Sequence, residues 1–136
     1  MSERTFVMLK PDAVRRGLAG RILQRLEDVG LRMVAKQRLD VNEAQSGALY
    51  AEHEGKLFYD SLLTYVHSGP VIATVWEGPG AVALVRKLIG ATNPAEAAPG
   101  TIRGDFGLAI DENVVHGSDS VQSAEREIPI FFPGLD

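Results

Sequence analysis

The sequence predicts an α+β sandwich in which helices cover a four-stranded antiparallel sheet. Three observations lead to this fold class. Four short apolar segments have the composition of strands, the segments between them carry apolar residues at helical spacing, and glycine or proline lies near most junctions. The resulting order of strands and helices indicates a sandwich of the ferredoxin-like kind. A chain of 136 residues suits one domain with one proper core.

The first half of the chain contains two predicted strands and three helical segments. In chain order they are a strand at 4–9, a helix at 19–29, a strand at 31–39, a helix from 42 to about 53–55 and a short helical segment up to 66. Lys10-Pro11-Asp12 ends the first strand, and Gly30 is a natural stop for the first helix. Asn42, with Gln45 three residues later, has the pattern of a capping box.

The second half begins with a continuously apolar strand at 71–76. A helix follows, with Pro79 near its first position and Gly90 at its end. Residues 91–111 show little periodicity, so we expect a long functional loop there. A short strand at 114–116 then leads to a helix that is capped by Asp119 or Ser120 and runs to 127. The apolar tail at 128–136 is expected to pack on the body or on a neighbouring subunit.

Composition excludes several classes of protein. The absence of cysteine rules out disulfides, thiolate metal sites and cysteine catalysis. A net charge of −4 argues against a general nucleic-acid binder. No apolar run approaches the roughly 18 residues of a membrane span, and no signal peptide is visible at the start. We therefore expect a cytoplasmic protein with no membrane association and no specific nucleic acid partner.

His116 is the candidate nucleophile. Its reference pKa of about 6.5 leaves a ring nitrogen with a free lone pair in most molecules at pH 7. A single histidine after two valines is more often a packed or surface residue, so this pattern does not identify a nucleophile by itself. We interpret His53 and His67, which are distant from it in sequence, as surface residues.

Several other side chains suit a phosphate-bearing ligand. Lys10, Arg86 and Arg103 are cations beside loops or at the ends of elements. Thr92 and Asn113 supply neutral hydrogen bonds and Phe58 offers a face on which any base can stack. The basic residues at the end of the helix before Gly90 also complement its dipole, an interpretation we adopt for Lys87. The chain has neither a P-loop nor a paired-histidine metal motif, and composition alone does not assemble these residues into one site.

The segment Asn113-Val114-Val115-His116-Gly117-Ser118-Asp119-Ser120 resembles the active-site signature of the nucleoside diphosphate kinase family. The resemblance covers essentially the whole chain and marks residues 1–136 as a single domain of this family. Its other blocks lie at residues 4–6 and 10–12, 50–53, 68–71, 90–94, 99–106 and 123–128.

The resemblance implies a ping-pong reaction. A nucleoside triphosphate, mainly ATP, gives its γ-phosphoryl group to Nδ1 of His116, and the phosphohistidine passes it to a nucleoside diphosphate. Glu127 corresponds to the carboxylate that orients the ring through its other nitrogen, Ser118 lies close to the imidazole, and Tyr50 matches a residue that lines the site. The matched nucleotide contacts are Lys10, Phe58, Arg86, Thr92, Arg103 and Asn113.

The same resemblance implies a cofactor and an assembly. Mg²⁺ is expected on the nucleotide phosphates, with no metal ligand from protein side chains. The family forms homo-oligomers, hexameric or tetrameric. One departure is that Leu57 and Tyr59 flank Phe58 where the family often has proline and phenylalanine, so the edge of the base platform differs. The alternative from another class is a non-catalytic ferredoxin-like module that binds nucleotides or RNA.

Overall fold

A computed structural model describes residues 2–110 and 112–136, and it confirms the predicted sandwich. Its sheet consists of β1 (Ser2–Leu9), β2 (Arg32–Leu39), β3 (Val71–Pro79) and β4 (Val115–Gly117). The strand order is β2-β3-β1-β4, and every neighbouring pair is antiparallel. β1 is therefore a central strand, and its last five residues are all buried.

Helices cover both faces of this sheet. They are α1 (Pro11–Arg15), α2 (Ala19–Asp28), α3 (Glu43–Leu49), α4 (Tyr59–Val66), α5 (Ala81–Ile89), α6 (Ile102–Phe106) and α7 (Val121–Phe131), with two 3-10 helices at Ala51–His53 and Pro94–Glu96. Along β1, Val7 and Leu9 enter one core cluster while Phe6 and Met8 enter the other. This alternation is expected of a strand that is buried on both sides. None of the described helices is long and apolar enough to cross a membrane.

The expected strands and longer helices are present, but the helix predicted to reach 53–55 ends at Leu49, and a separate 3-10 helix covers Ala51–His53. The capping box at Asn42 is confirmed, with side-chain bonds in both directions to Gln45. The start of α5 differs from the prediction. Pro79 belongs to the end of β3, where it lies opposite Ser2, and Gly80 precedes the helix with a φ of 60°. Proline is tolerated at this strand end because its missing N–H interrupts no further pairing.

The region predicted as one long loop contains regular structure. A 3-10 turn begins after Asn93, and Thr101 accepts the Gly104 N–H to cap α6. Asp111, the last residue of the predicted loop, lies outside the described residues. The prediction that the last helix ends at 127 is wrong, because α7 continues through Pro129 to Phe131. The expected packing of the tail on the body is confirmed at Phe131. Phe131 is buried and stacks on Phe6 with ring centroids 5.0 Å apart, so packing on the sheet outweighs the bond lost at proline.

Gly117 lets β4 approach α5 closely. A Cβ atom at this position would lie 2.6 Å from Ile89 Cδ1 and 3.3 Å from Val85 Cγ1. Both neighbours belong to the buried core and have little room to move. Because Gly117 has no side chain, the strand that carries His116 can pack directly against α5.

We predict that Gly117→Ala lowers the free energy of unfolding by about 1–3 kcal/mol because the added methyl overpacks this contact. Urea denaturation measures the change. Gly20→Ala is the matched control, because Gly20 is helical and has nothing within 4 Å of an added Cβ. We expect that variant to be neutral or more stable by up to about 1 kcal/mol. Equal destabilisation by both substitutions would contradict the close contact of β4 with α5.

Candidate active site

The side chain of His116 meets a buried carboxylate from α7. Its Nε2 lies 2.9 Å from Oε1 of Glu127, and Ser118 Oγ donates to the same oxygen at 2.8 Å. Glu127 is 2% exposed, and Arg126 approaches its other oxygen at 3.4 Å. A buried carboxylate has to be compensated by donors. The predicted association of His116, Ser118 and Glu127 is thus present in the structure.

This hydrogen bond determines which ring nitrogen is free. Because an ionised carboxylate only accepts hydrogen bonds, the proton of the neutral His116 ring is on Nε2. The lone pair is then on Nδ1, and none of the described residues hydrogen-bonds that atom. The His116 side chain keeps 20% of its surface exposed and lines a cleft. The arrangement presents Nδ1 as a nucleophile.

The cleft brings together nearly all the residues that the sequence singled out. It has a volume of about 470 Å³. Its lining includes His116, Glu127 and Tyr50, the cations Lys10, Arg86 and Arg103, and Phe58, Thr92 and Asn113. Ser118 is fully buried and donates to Glu127 without lining the cleft.

Lys10 lies at the end of β1, where it is only 6% exposed. Its Nζ donates to Oδ1 of Asn113 at 2.9 Å, and the Asn113 amide donates to the Thr92 carbonyl at 3.1 Å. Burial and the nearby charge of Arg103 lower the pKa of Lys10 to about 8, although Asp12 acts in the opposite direction. The ammonium group is thus held in place by a neutral acceptor.

The two arginines are also held by neutral groups. Arg103 donates to the Val115 carbonyl at 2.7 Å and to the Gly90 carbonyl at 3.3 Å, and Arg86 donates to the Gly117 carbonyl at 3.3 Å. Burial, followed by repulsion from Arg86, lowers the pKa of Arg103 to about 10. The buried Nε of Arg103 has no hydrogen-bond partner among the described residues. These cations therefore retain the capacity to bind an anion.

Aromatic side chains form another wall of the cleft. Tyr50 is 4% exposed and meets the His116 ring edge-on, at 6.3 Å between centroids and 88° between planes. Its hydroxyl is buried without a partner among the described residues, and burial raises its pKa, so the phenol keeps its proton. Phe58 is half exposed, as a stacking platform requires.

His53 was interpreted as a surface residue, and this interpretation is wrong. Its ring is partly buried between Tyr50 and Phe58, at 6.4 Å and 5.3 Å between centroids. The signal for it was its place in the block at 50–53 that resembles the family. His67 is exposed, as expected, and bonds to Ser46 and the Val41 carbonyl. The cleft is also lined by residues that the sequence did not single out as site residues. Glu52, Gly117 and Asp119 lie in blocks that resemble the family, whereas Ser61, Leu62 and Ile110 had no distinguishing sequence signal.

The fold and the cleft together define a class of enzyme. Phosphoryl transfer depends mainly on positioning and on compensation of phosphate charge, and the cleft places fixed cations around one free imidazole nitrogen. The class is a phosphotransferase that acts on nucleotides. A family model described as nucleoside diphosphate kinase matches residues 3–136. The chain belongs to the nucleoside diphosphate kinase family.

Known relatives and structures agree with this assignment. The nucleoside diphosphate kinases of Archaeoglobus fulgidus and Moorella thermoacetica are 59% and 58% identical over 130 residues. These alignments cover 96% of this chain and 86% and 94% of the two relatives. A solved structure of the Halobacterium salinarum kinase in complex with CDP has a TM-score of 0.95 and 51% identity, and covers 98% of this chain and 89% of that one. The non-catalytic alternative is not favoured.

We predict that Lys10 titrates near pH 8, well below the reference value of about 10.4 for a lysine side chain. NMR of the lysine side chains in labelled protein measures each pKa, and Lys10→Arg assigns the signal. Arg103→Met removes a repelling charge and should raise the Lys10 pKa. Lys87→Met is the control, because Lys87 is exposed and lies outside the cleft. A Lys10 pKa that does not rise in Arg103→Met would contradict the electrostatic coupling.

Proposed function

We propose that this phosphotransferase works by a ping-pong reaction through a phosphohistidine on His116. Nδ1 attacks the γ-phosphorus of a nucleoside triphosphate, mainly ATP, so that an N–P bond forms and the bond to the bridging oxygen breaks. The nucleoside diphosphate leaves, another enters, and its terminal oxygen attacks phosphorus and breaks the N–P bond. The observation that carries this proposal is the Nε2 hydrogen bond to Glu127, which leaves Nδ1 free in the cleft. Covalent catalysis of this kind divides one difficult transfer into two steps.

Glu127, Ser118 and Tyr50 support the nucleophile in this proposal. When Nδ1 bonds to phosphorus the ring becomes cationic, and the buried Glu127 carboxylate at 2.9 Å stabilises that charge. Ser118 donates to the same carboxylate oxygen and holds it in position. Tyr50 packs edge-on against the ring, and its unpartnered hydroxyl is available to donate to a phosphoryl oxygen.

The remaining cleft residues bind the nucleotide. Lys10, Arg86 and Arg103 compensate phosphate charge, while Thr92 and Asn113 hydrogen-bond to phosphate or sugar oxygens. Phe58 stacks on the base. A stacking contact accepts every base, which suits an enzyme that interconverts nucleotides of different bases. The CDP complex of the Halobacterium salinarum kinase supports a nucleotide as the occupant of this cleft.

We propose Mg²⁺ as the metal, bound to the nucleotide phosphates. Nowhere in the described residues do three or more His, Asp or Glu side chains gather into a metal site. The cleft instead presents Glu52 and Asp119 as separate carboxylates, which fits a hydrated ion delivered with the phosphates. When bound, the ion neutralises phosphate charge.

We also propose that the chain is a single domain that assembles into a homo-oligomer, either a hexamer or a tetramer, in the cytoplasm. Leu108 and Ile110 are 66% and 60% exposed, and a partner subunit would cover apolar surface of this kind. β2 is an edge strand with unpaired backbone groups. The absence of cysteine is compatible with a reducing compartment.

The direct test is transfer of label from ATP labelled in its γ-phosphoryl group. We predict an acid-labile, alkali-stable protein label that either GDP or CDP removes, because phosphohistidine is the intermediate. His116→Ala should abolish the label, and His67→Ala, which changes a histidine outside the cleft, should keep it. Quenched reactions followed by phosphoamino-acid analysis measure both. A label that persists in His116→Ala, or one that no diphosphate removes, would overturn the mechanism.

The basic residues give a second test. We predict that Arg103→Ala slows phosphoryl transfer by about 100-fold, because a buried cation that compensates transition-state charge is lost. Lys87→Ala should stay within about twofold of the original rate, because exposed groups outside a site contribute little. Steady-state rates at saturating ATP and diphosphate measure both variants. Equal rates in the two variants would mean that Arg103 does not face the transferred phosphate.

A further inference from the structure

The residue at the entrance to β4 has an unusual backbone. Val114 has a φ of 66°, and it is the one non-glycine residue with a positive φ in the described part of the chain. The N–H of Val115 donates to the carbonyl of Asn113 at 2.8 Å. A hydrogen bond between residues two apart, across a central residue with this φ, defines a classic γ-turn, which is rare and strained. A β-branched residue in this conformation persists only when its surroundings hold it there.

The turn changes which side chains face the cleft. In a regular strand, Asn113 and Val115 would share one face while Val114 and His116 shared the other. In the structure Val114 and Val115 both enter the same core cluster, whereas Asn113 and His116 both line the cleft. The turn at Val114 thus brings the lysine-binding amide and the nucleophile to one side.

Both backbone groups of Val114 are held by the segment that follows β1. Its N–H donates to Oδ2 of Asp12 at 3.2 Å, and its carbonyl accepts from the Lys10 N–H at 2.8 Å. Asp12 is 3% exposed, and its own N–H donates to the Tyr65 hydroxyl at 3.0 Å. A side chain 102 positions away in sequence therefore supplies the acceptor that the turn needs. The same short segment carries Lys10, whose ammonium bonds to Asn113.

We propose that Asp12 is a positioning residue for phosphoryl transfer, because its carboxylate holds the left-handed turn at Val114 and so sets Lys10, Asn113 and His116 relative to one another. The proposal rests on the function proposed above. Asp12 lies in the first turn of the five-residue helix α1. Its carboxylate accepts from the Val114 N–H and not from the N–H groups at the start of its own helix. Asp12 touches no reacting atom, and it acts through the backbone of its neighbour.

The test uses the rate of His116 phosphorylation by saturating labelled ATP in a single turnover, per folded enzyme. We expect Asp12→Ala to slow this step about 20-fold or more, because a small misplacement of reacting groups is costly. Asp12→Asn keeps an acceptor for the Val114 N–H and should retain at least about a third of the rate. The carboxylate control is Asp28→Ala, which removes only an exposed bond to Gln24 and should not alter the rate.

A rescue variant separates positioning from general loss of structure. Glycine adopts positive φ without penalty, so Val114→Gly in the Asp12→Ala background should recover about fivefold or more of the lost rate although it removes core volume. If Asp12→Ala only destabilised the fold, the loss of core volume in Val114→Gly would lower the rate further. Lack of recovery, or equal loss in Asp12→Asn and Asp12→Ala, would overturn the proposal. If Asp12→Ala does not fold, the test uses the folded Asp12→Asn variant alone. Retention of a third of the rate or more by this variant supports the proposal, and a loss of more than about tenfold overturns it.

The unmodified enzyme in the same assay keeps the two proposals apart. If it is not labelled on His116, the ping-pong mechanism fails whatever Asp12 does. If it is labelled and the Asp12 variants behave like it, the positioning role fails and the mechanism stands.

Discussion

The carboxylate of Glu127 is almost completely withdrawn from water, and its charge has to be compensated inside the protein. Two donors come from the β4 segment, His116 and Ser118, while the acceptor comes from α7, which Ser120 caps. The hydrogen bonds that compensate the Glu127 charge thus connect the β4 segment to α7. The protonated nitrogen, the orientation of the ring and the direction of the free lone pair all follow from that junction.

The cleft concentrates positive charge in a chain whose net charge is −4. Lys10, Arg86 and Arg103 bond to an amide oxygen and backbone carbonyls, and within the described residues none of them forms an ion pair with a carboxylate. Each cation was a candidate from its place beside a loop. Their convergence on His116 was not predictable from local pattern, because long-range packing brings β1, α5, α6 and β4 together. Only the resemblance to a known family grouped them in advance.

The fold was predictable where periodicity extends over enough residues. The four strands and the longer helices follow from apolar spacing and from stop residues. α1 and α6 were missed because five residues cannot display a helical period. The end of α7 was missed because Pro129 is a local stop signal, whereas the contact between Phe131 and Phe6 depends on the completed sheet. Tertiary packing outweighed local preference there.

The environment of Lys10 has a consequence for chemical labelling. With a pKa of about 8, roughly a tenth of its side chains are free amines at pH 7, several hundred times the fraction in an ordinary exposed lysine. A free amine is nucleophilic, and this one lies in a cleft lined with cations. An anionic electrophile of nucleotide size would therefore react with Lys10 faster than with an ordinary exposed lysine, either by acylating its amine or by forming an imine with it. Burial lowers the protonated fraction of Lys10 and thereby makes this residue the attachment site for a covalent affinity reagent.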